Sequence, residues 1–370
     1  MKKNALQLLA LTALGVSTLS AQAEGLYTYA LIDAGIASTK ISGGGTASKS
    51  QTEFVTGGFA PNFVGMTYEK GMQGALTAGV QLEQGFLLNT VPGSTTKNYA
   101  FGNGDILNRQ ANLYIKSSLG KFMLGRQPNI AFNTVLLGDP RSGSNYGSSL
   151  NSVVVRGGLS TVDDGAIGFV SNNMNGATLS FEYLPSTQTV ADKNEKSGTR
   201  ASVTYGAGNM TLGAAVYQDS KYATNTAITA NASGSVLSAV YKLSSVTLKG
   251  VFASQKPQDT TTTSKLQNAV HTTGLGGNWA LGADTTLDFG TYLSSQTVTS
   301  TTNYKLKTNA IGLQQKLTKE LTFYSQFSRA VNKGTETAAG NFTWATVLTK
   351  DLATNQTGST LSAGLLLSLF

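Results

Sequence analysis

The chain has 370 residues, with 42 glycines, 6 prolines, a single histidine, no cysteine and a formal net charge of +8. Without cysteine there is neither a disulfide framework nor a thiolate metal site, and the basic excess is too spread out for a nucleic-acid footprint. Mean hydropathy is close to zero, too low for a bundle of membrane helices but suited to a sheet in which every second residue meets lipid.

The first residues read as an export signal. Met1-Lys2-Lys3 is basic, Ala5 to Leu19 is largely apolar, and Ala21-Gln22-Ala23 has the small-residue pattern of a cleavage site. Residues 1–23 are therefore expected to be removed and 24–370 to form one exported domain. No later stretch approaches the roughly 18 consecutive apolar residues a spanning helix needs.

From there the chain alternates. A first strand is expected at Leu26–Ser38, and a second and third flank a turn at Gly71–Gly74. Ile106–Ser118 and Lys121–Gln127 flank Leu119-Gly120, and after a long gap come Gly165–Asn172 and Ala177–Pro185. The pairs Thr199–Tyr205 with Met210–Gln218, Ser235–Lys242 with Val246–Gln255, Val270–Ala280 with Asp284–Gln296, and Lys305–Leu317 with Glu320–Ala330 follow, before a last strand Ser359–Phe370. Each is near the roughly 9–11 residues of a tilted membrane strand.

Within these strands one face is apolar and the other polar. Leu287, Phe289 and Leu293 oppose Asp284, Thr286, Asp288 and Tyr292, while Ala111, Leu113 and Ile115 oppose Gln110, Asn112 and Tyr114. Seven connections are tight turns, and the others, such as Thr39–Pro61, Asn89–Asp105, Ile130–Asp164 and Val331–Gly358, are long and polar. That sidedness predicts an all-β fold: a 16-stranded antiparallel transmembrane β-barrel with short periplasmic turns and long extracellular loops. An even strand number removes both sheet edges, and so wide a barrel encloses an aqueous channel.

Several segments resemble the general trimeric porins of Gram-negative bacteria, in particular the β-proteobacterial type. They are Leu26-Tyr27 with Leu31 to Ile36, Val80 to Phe86, Asn108-Arg109-Gln110-Ala111 through Leu124-Gly125-Arg126-Gln127, and Asp164 to Ile167 through Phe181-Glu182-Tyr183. The last strand, closed by Phe370, resembles the terminal strand by which such barrels are recognised for assembly. Its leucines (Leu361, Leu365, Leu367, Leu369) lie on the side opposite Phe370, which leaves its facing open.

The resemblance implies an outer-membrane homotrimer in contact with lipid and lipopolysaccharide, handled by the barrel assembly machinery and passing small hydrophilic solutes and ions. It also implies that the second loop, Asn89–Asp105, latches onto a neighbour. The third loop, about Pro128–Asp163, would fold inward and narrow the pore, carrying Asp139, Arg141 and Arg156. Carboxylates facing basic groups across a narrow eyelet sort solutes by charge.

Positions where relatives are often basic are neutral here, near Asn62, Gln110 and Ser160, so a weak anion preference is expected. Further lumen charges are Asp33, Glu83, Lys116, Glu182, Lys249 and Asp288, with Lys116 and Asp288 placed near turns and far from the eyelet. Arg109 and Arg126 share parity with the apolar side chains of their strands, so two placements stay open: turned inward by a bulge, or at a rim or subunit contact. Of the two, Arg126 has the better case for the lumen, because Pro128 ends regular pairing just beyond it.

An enzyme would have to use His271, at the start of a strand and in no recognisable catalytic setting. Gly43-Gly44-Gly45 lacks the helix and lysine of a phosphate cradle and reads as a flexible loop. No cofactor, metal or nucleic acid is implied. The competing readings are a substrate-specific channel with a tyrosine-lined lumen and, less well supported, a barrel hydrolase.

Overall fold

Alternating side chains build the wall. The computed structural model describes residues 24–88, 106–185, 196–221, 232–256, 269–297, 303–335 and 352–370. The expected export signal and the second loop lie outside these residues.

The first strands are β1 (Gly25–Gly43), β2 (Thr46–Thr56), β3 (Phe63–Met72), β4 (Leu76–Gly85), β5 (Gln110–Lys116) and β6 (Gly120–Pro128). A helix, α1 (Ile130–Gly138), and a π-helical turn (Asn151–Arg156) precede β7 (Val162–Ser171), β8 (Ala177–Leu184) and β9 (Lys196–Ala207). The wall continues through β10 (Met210–Lys221), β11 (Ala232–Leu243), β12 (Val246–Lys256) and β13 (Val270–Ala280). It ends with β14 (Thr285–Thr297), β15 (Asn303–Lys316), β16 (Leu321–Asn332) and β17 (Gln356–Leu369).

From β3 onward each strand pairs antiparallel with the next, and β17 returns beside β1, from Ala30 opposite Leu369 to Gly43 opposite Gln356. Both β2 and β3 lie on the other edge of β1, β2 along Ala34–Gly43 and β3 along Gly25–Leu31. They are two halves of one strand interrupted at residues 57–62, so the seventeen segments close as a sixteen-stranded barrel. Closure leaves no unpaired edge.

Residues 39–56, expected as a loop, are instead a hairpin turning at Gly43, Gly44 and Gly45, all at positive φ (90°, 65° and 74°). The alternation was hidden because Ser38, Lys40, Ser50 and Thr52 occupy the outward positions where an apolar belt would otherwise stand out. The glycine triplet is the tip of that hairpin.

Outward positions are apolar and uncovered: Leu113 is 62% exposed, Val216 57%, Leu275 58% and Leu361 56%. Inward neighbours such as Asn112, Tyr114, Tyr217, Asp288 and Tyr292 are buried. An exposed apolar belt of this extent suits lipid. The last strand turns Leu361, Leu365 and Leu369 outward and Leu366 inward, and Phe370 stacks on Tyr29 with ring centroids 6.3 Å apart.

Candidate pore constriction

Pro128 has no N–H for the ladder, and β6 ends there. Asn129 then caps α1, its Oδ1 accepting from Ala131 N (2.8 Å) and Phe132 N (3.0 Å). The helix is apolar along most of its length and lies inside the barrel against β9 to β12. Ala131 and Val135 pack with Ala215, Tyr217, Val236 and Val251, each fully buried valine contributing about 1.5–3 kcal/mol.

Small residues on the wall permit the approach. A Cβ on Gly138 would lie 2.3 Å from Gly250 O, one on Gly213 would lie 2.8 Å from Leu137 Cδ2, and Ser238 Oγ donates to Thr134 O at 2.5 Å.

Beneath the helix start is a buried charge cluster. Arg200 pairs with Asp163 and Asp219, both at 2.9 Å, while Glu182 accepts from Gln127 Nε2 (3.0 Å) and Ile130 N (3.4 Å). Sequence reasoning passed over Arg200. Its inward parity on β9, opposite Glu182 on β8, is the signal that would have found it.

Beyond α1 the loop is tied together by Asp139. Its Oδ1 accepts from Arg141 N (2.8 Å), Gly143 N (3.1 Å) and Tyr292 Oη (3.2 Å), and its Oδ2 from Ser149 N (2.9 Å) and Ser149 Oγ (2.5 Å). This carboxylate is fully buried between its own loop and Tyr292 of β14 and offers no face to a passing ion.

Arg141 is buried as well. It donates to Asp288 Oδ1, to Tyr146 O, to Gly147 O (3.2 Å) and to Gln326 Oε1 (2.7 Å). Asp288 is indeed close to a turn, three residues past the start of β14. Its expected distance from the eyelet is corrected, because the loop descends deep enough to reach it.

The tip of the loop meets the interrupted strand. Asn145 donates from Nδ2 to Gly57 O (2.5 Å) and from its backbone to Phe59 O (3.1 Å), and Tyr146 packs on Ala37 and Val55. The chain then returns along the wall. Ser152 meets Ser294 at 2.6 Å, Arg156 Nε donates to Gln296 Oε1 (2.8 Å), and the Arg156 guanidinium lies 4.9 Å from the Tyr304 ring centroid.

Asp33 organises the interruption. Its Oδ2 accepts from Phe59 N (2.6 Å) and Ala60 N (2.7 Å), its Oδ1 from Tyr324 Oη (2.7 Å), and its own N–H donates to Asn62 Oδ1. Segment 57–62 thereby leaves the ladder and turns Phe59 and Pro61 toward the loop. Between them is an opening of about 260 Å³, lined also by Phe63, Arg109, Phe132 and Lys249.

The charges there are uneven. Asp33, Glu83, Asp139, Glu182 and Asp288 are each at most 4% exposed. Glu83 accepts from Tyr29 Oη (2.8 Å), Gln110 Nε2 (2.6 Å) and Arg109 Nε (3.2 Å). The Arg109 side chain stays 32% exposed, and Lys249, half-buried, donates to the neutral Ser142 Oγ at 2.8 Å.

Arg109, Gln110, Asp139 and Arg141 thus gather around or behind the opening, with Asp33 and Glu83 supporting its rim. Lys116 does not join them; it binds Glu69 Oε1 (2.5 Å) beside the short turn after β5. The expectation that Arg126 turns inward is corrected. It sits on the outward face opposite Ala111, donating to Asn108 O (2.9 and 2.7 Å) and pairing with exposed Asp164. Its neighbours Gly125 and Gln127 both face inward, so the irregularity before Pro128 leaves the alternation of β6 intact.

Comparison with known proteins matches these features. A family model described as Gram-negative porin covers residues 10–335. None of the curated proteins matches the chain. Among solved structures, the anion-selective porin from Comamonas acidovorans superposes with a TM-score of 0.75 at 17% identity, covering 94% of this chain and 100% of that one. Outer-membrane expressed OmpT of Vibrio cholerae gives 0.65 at 12% identity, covering 95% and 100%. The trimer form of in-vitro folded Vibrio cholerae OmpT gives 0.59 at 13% identity, covering 93% and 100%.

Proposed function

Because the chain belongs to the Gram-negative porin family, we propose that its outer-membrane channel admits small hydrophilic solutes by passive diffusion with a weak preference for anions. The observation that carries the preference is the asymmetry of the constriction. Arg109 and Lys249 keep surface at the opening, while the neighbouring carboxylates are buried and hydrogen-bonded. Fixed cations beside a narrow aqueous path raise the local anion concentration. The likeness to a porin described as anion-selective agrees with this sign.

The preference is weak because Asn62 and Gln110 put no charge near the opening and Ser160 is neutral. Reversal potentials across a planar bilayer in a potassium chloride gradient test the reading. A modest potential of anion sign is expected, and one of cation sign overturns it.

We further propose a homotrimer surrounded by lipid and lipopolysaccharide, delivered by the assembly machinery through the strand ending at Phe370. A trimer form is described for one structural neighbour. An apolar concavity of about 470 Å³ on the outer face, formed by Ala30, Val64, Met66, Leu82 and Leu369, suits contact with a second barrel wall. Native mass measurement in detergent distinguishes trimer from monomer.

No catalytic role is proposed. His271 lies exposed on the outward face, stacked on Phe252 with centroids 6.2 Å apart, where a lumenal nucleophile cannot use it.

A further inference from the structure

Resting on the channel reading above, we propose that the constriction is a recognition site for small aromatic carboxylates. Its two sides differ in chemistry. Phe59 and Pro61 from the interrupted strand and Phe132 from α1 present apolar surface, and Arg109 and Lys249 present positive charge to the same opening.

The arginine is held in a defined attitude. Its Cζ lies 4.4 Å from the centroid of the Phe63 ring, and its Nε is bound by Glu83 Oε2 at 3.2 Å. Among the described residues its two Nη atoms make no hydrogen bond, which leaves donors on the guanidinium fork for a carboxylate. Lys249 is oriented by a neutral hydroxyl, Ser142 Oγ, and retains further ammonium protons.

A passage built only for hydrated ions gains nothing from the partly exposed rings of Phe59 and Phe132, since leaving apolar surface in water is unfavourable. A flat apolar body carrying one carboxylate satisfies both sides, with rings against rings and charge against the two cations. An aliphatic acid engages only the cations, and a neutral aromatic only the rings. An aromatic amine meets charge of its own sign. Binding must remain weak enough for release, so the signature is a brief occlusion of the ion current.

The experiment uses the purified full-length barrel in planar bilayers, recording chloride current while benzoate, propionate, benzyl alcohol or benzylamine is added. Benzoate is expected to reduce the current at a concentration about ten-fold below propionate, the discrimination that one extra apolar group in a pocket supplies. Benzyl alcohol and benzylamine are expected to be weaker than benzoate.

Phe59→Ser and Phe132→Ser alter the apolar side from two different elements, the interrupted strand and α1, and each is expected to bring the benzoate-to-propionate ratio toward one. Arg109→Gln is expected to weaken both acids. Equal action of benzoate and propionate in the native barrel, or a ratio unmoved by either phenylalanine change, overturns the proposal. A folded barrel with no chloride current overturns the channel reading itself, whereas chloride current without aromatic preference overturns this inference alone.

Discussion

Arg141, at the centre of the in-folded loop, is joined to Asp288 of β14 with both side chains essentially out of contact with solvent. A buried pair of this kind adds little over a well-packed apolar pair, but removing one partner strands the other, at about 3–5 kcal/mol. Arg141→Met is therefore expected to loosen the loop and give larger, fluctuating single-channel conductance. The double change Arg141→Met with Asp288→Leu is expected to recover part of the quiet behaviour, since the stranded carboxylate is gone while Tyr146 O, Gly147 O and Gln326 Oε1 still lack their donor. Unchanged conductance and noise in the single variant would show that this pair does not hold the loop.

Asp33 accepts three hydrogen bonds at the interrupted strand. Asp33→Ala removes both acceptor oxygens and strands the buried N–H and O–H donors that used them, a loss of about 1–3 kcal/mol. The barrel is expected to unfold in detergent at a lower temperature than the native protein, read by its mobility shift on gels after heating. The same transition temperature in both would argue that the segment is held instead by Asn145 Nδ2 on Gly57 O and by Gln326 Nε2, which donates to Gly58 O at 2.8 Å.

The two candidate cations and the outward arginine give contrasting expectations. Lys249→Glu should move the reversal potential toward cations in dilute salt. Most of that shift should vanish near 1 M, as the screening length falls from about 10 Å at 0.1 M to about 3 Å. Arg126→Gln, on the outer face, should leave the potential where it was; a shift as large as that of Lys249→Glu would place Arg126 in the ion path.

Gly138 ends α1 against the wall, where an added Cβ would lie 2.3 Å from Gly250 O and 2.6 Å from Ser238 Oγ. Gly138→Ala should lift the end of the helix at a cost of about 1–3 kcal/mol, the usual range for overpacking. Amide exchange across 130–138 is expected to accelerate while exchange in β11 and β12 stays slow. Equal protection in the two proteins would count against close docking.

The wall was legible in the sequence wherever large apolar residues alternate with polar ones. That holds for β7 through β16, whose pairs were placed within a few residues at each end. It failed at 39–56, where Thr, Ser and Lys occupy both parities and the ladder continues without an apolar stripe to announce it. Parity alone would have placed Arg126 outward; the argument from Pro128 pointed the other way, although the alternation of β6 persists to its last residue. The partners of Asp139 and Arg141 were beyond local pattern, since Tyr292 and Asp288 lie well over a hundred residues away. Residues 57–62 were taken as the end of a loop, yet Gly57, Gly58 and Pro61 are the residues expected where a strand leaves its ladder.

The strand that breaks at Gly57 and resumes at Phe63 gives the aperture two jaws of different origin. One hangs from a loop and can be replaced or lost as a unit; the other is part of the cylinder and stays while the cylinder is folded. Excising the loop would therefore leave an off-centre tube still pinched at Phe59 and Pro61, not one of full bore. Variation at those two positions could regauge the opening without touching the loop, giving the scaffold two independent adjustments for what passes through it.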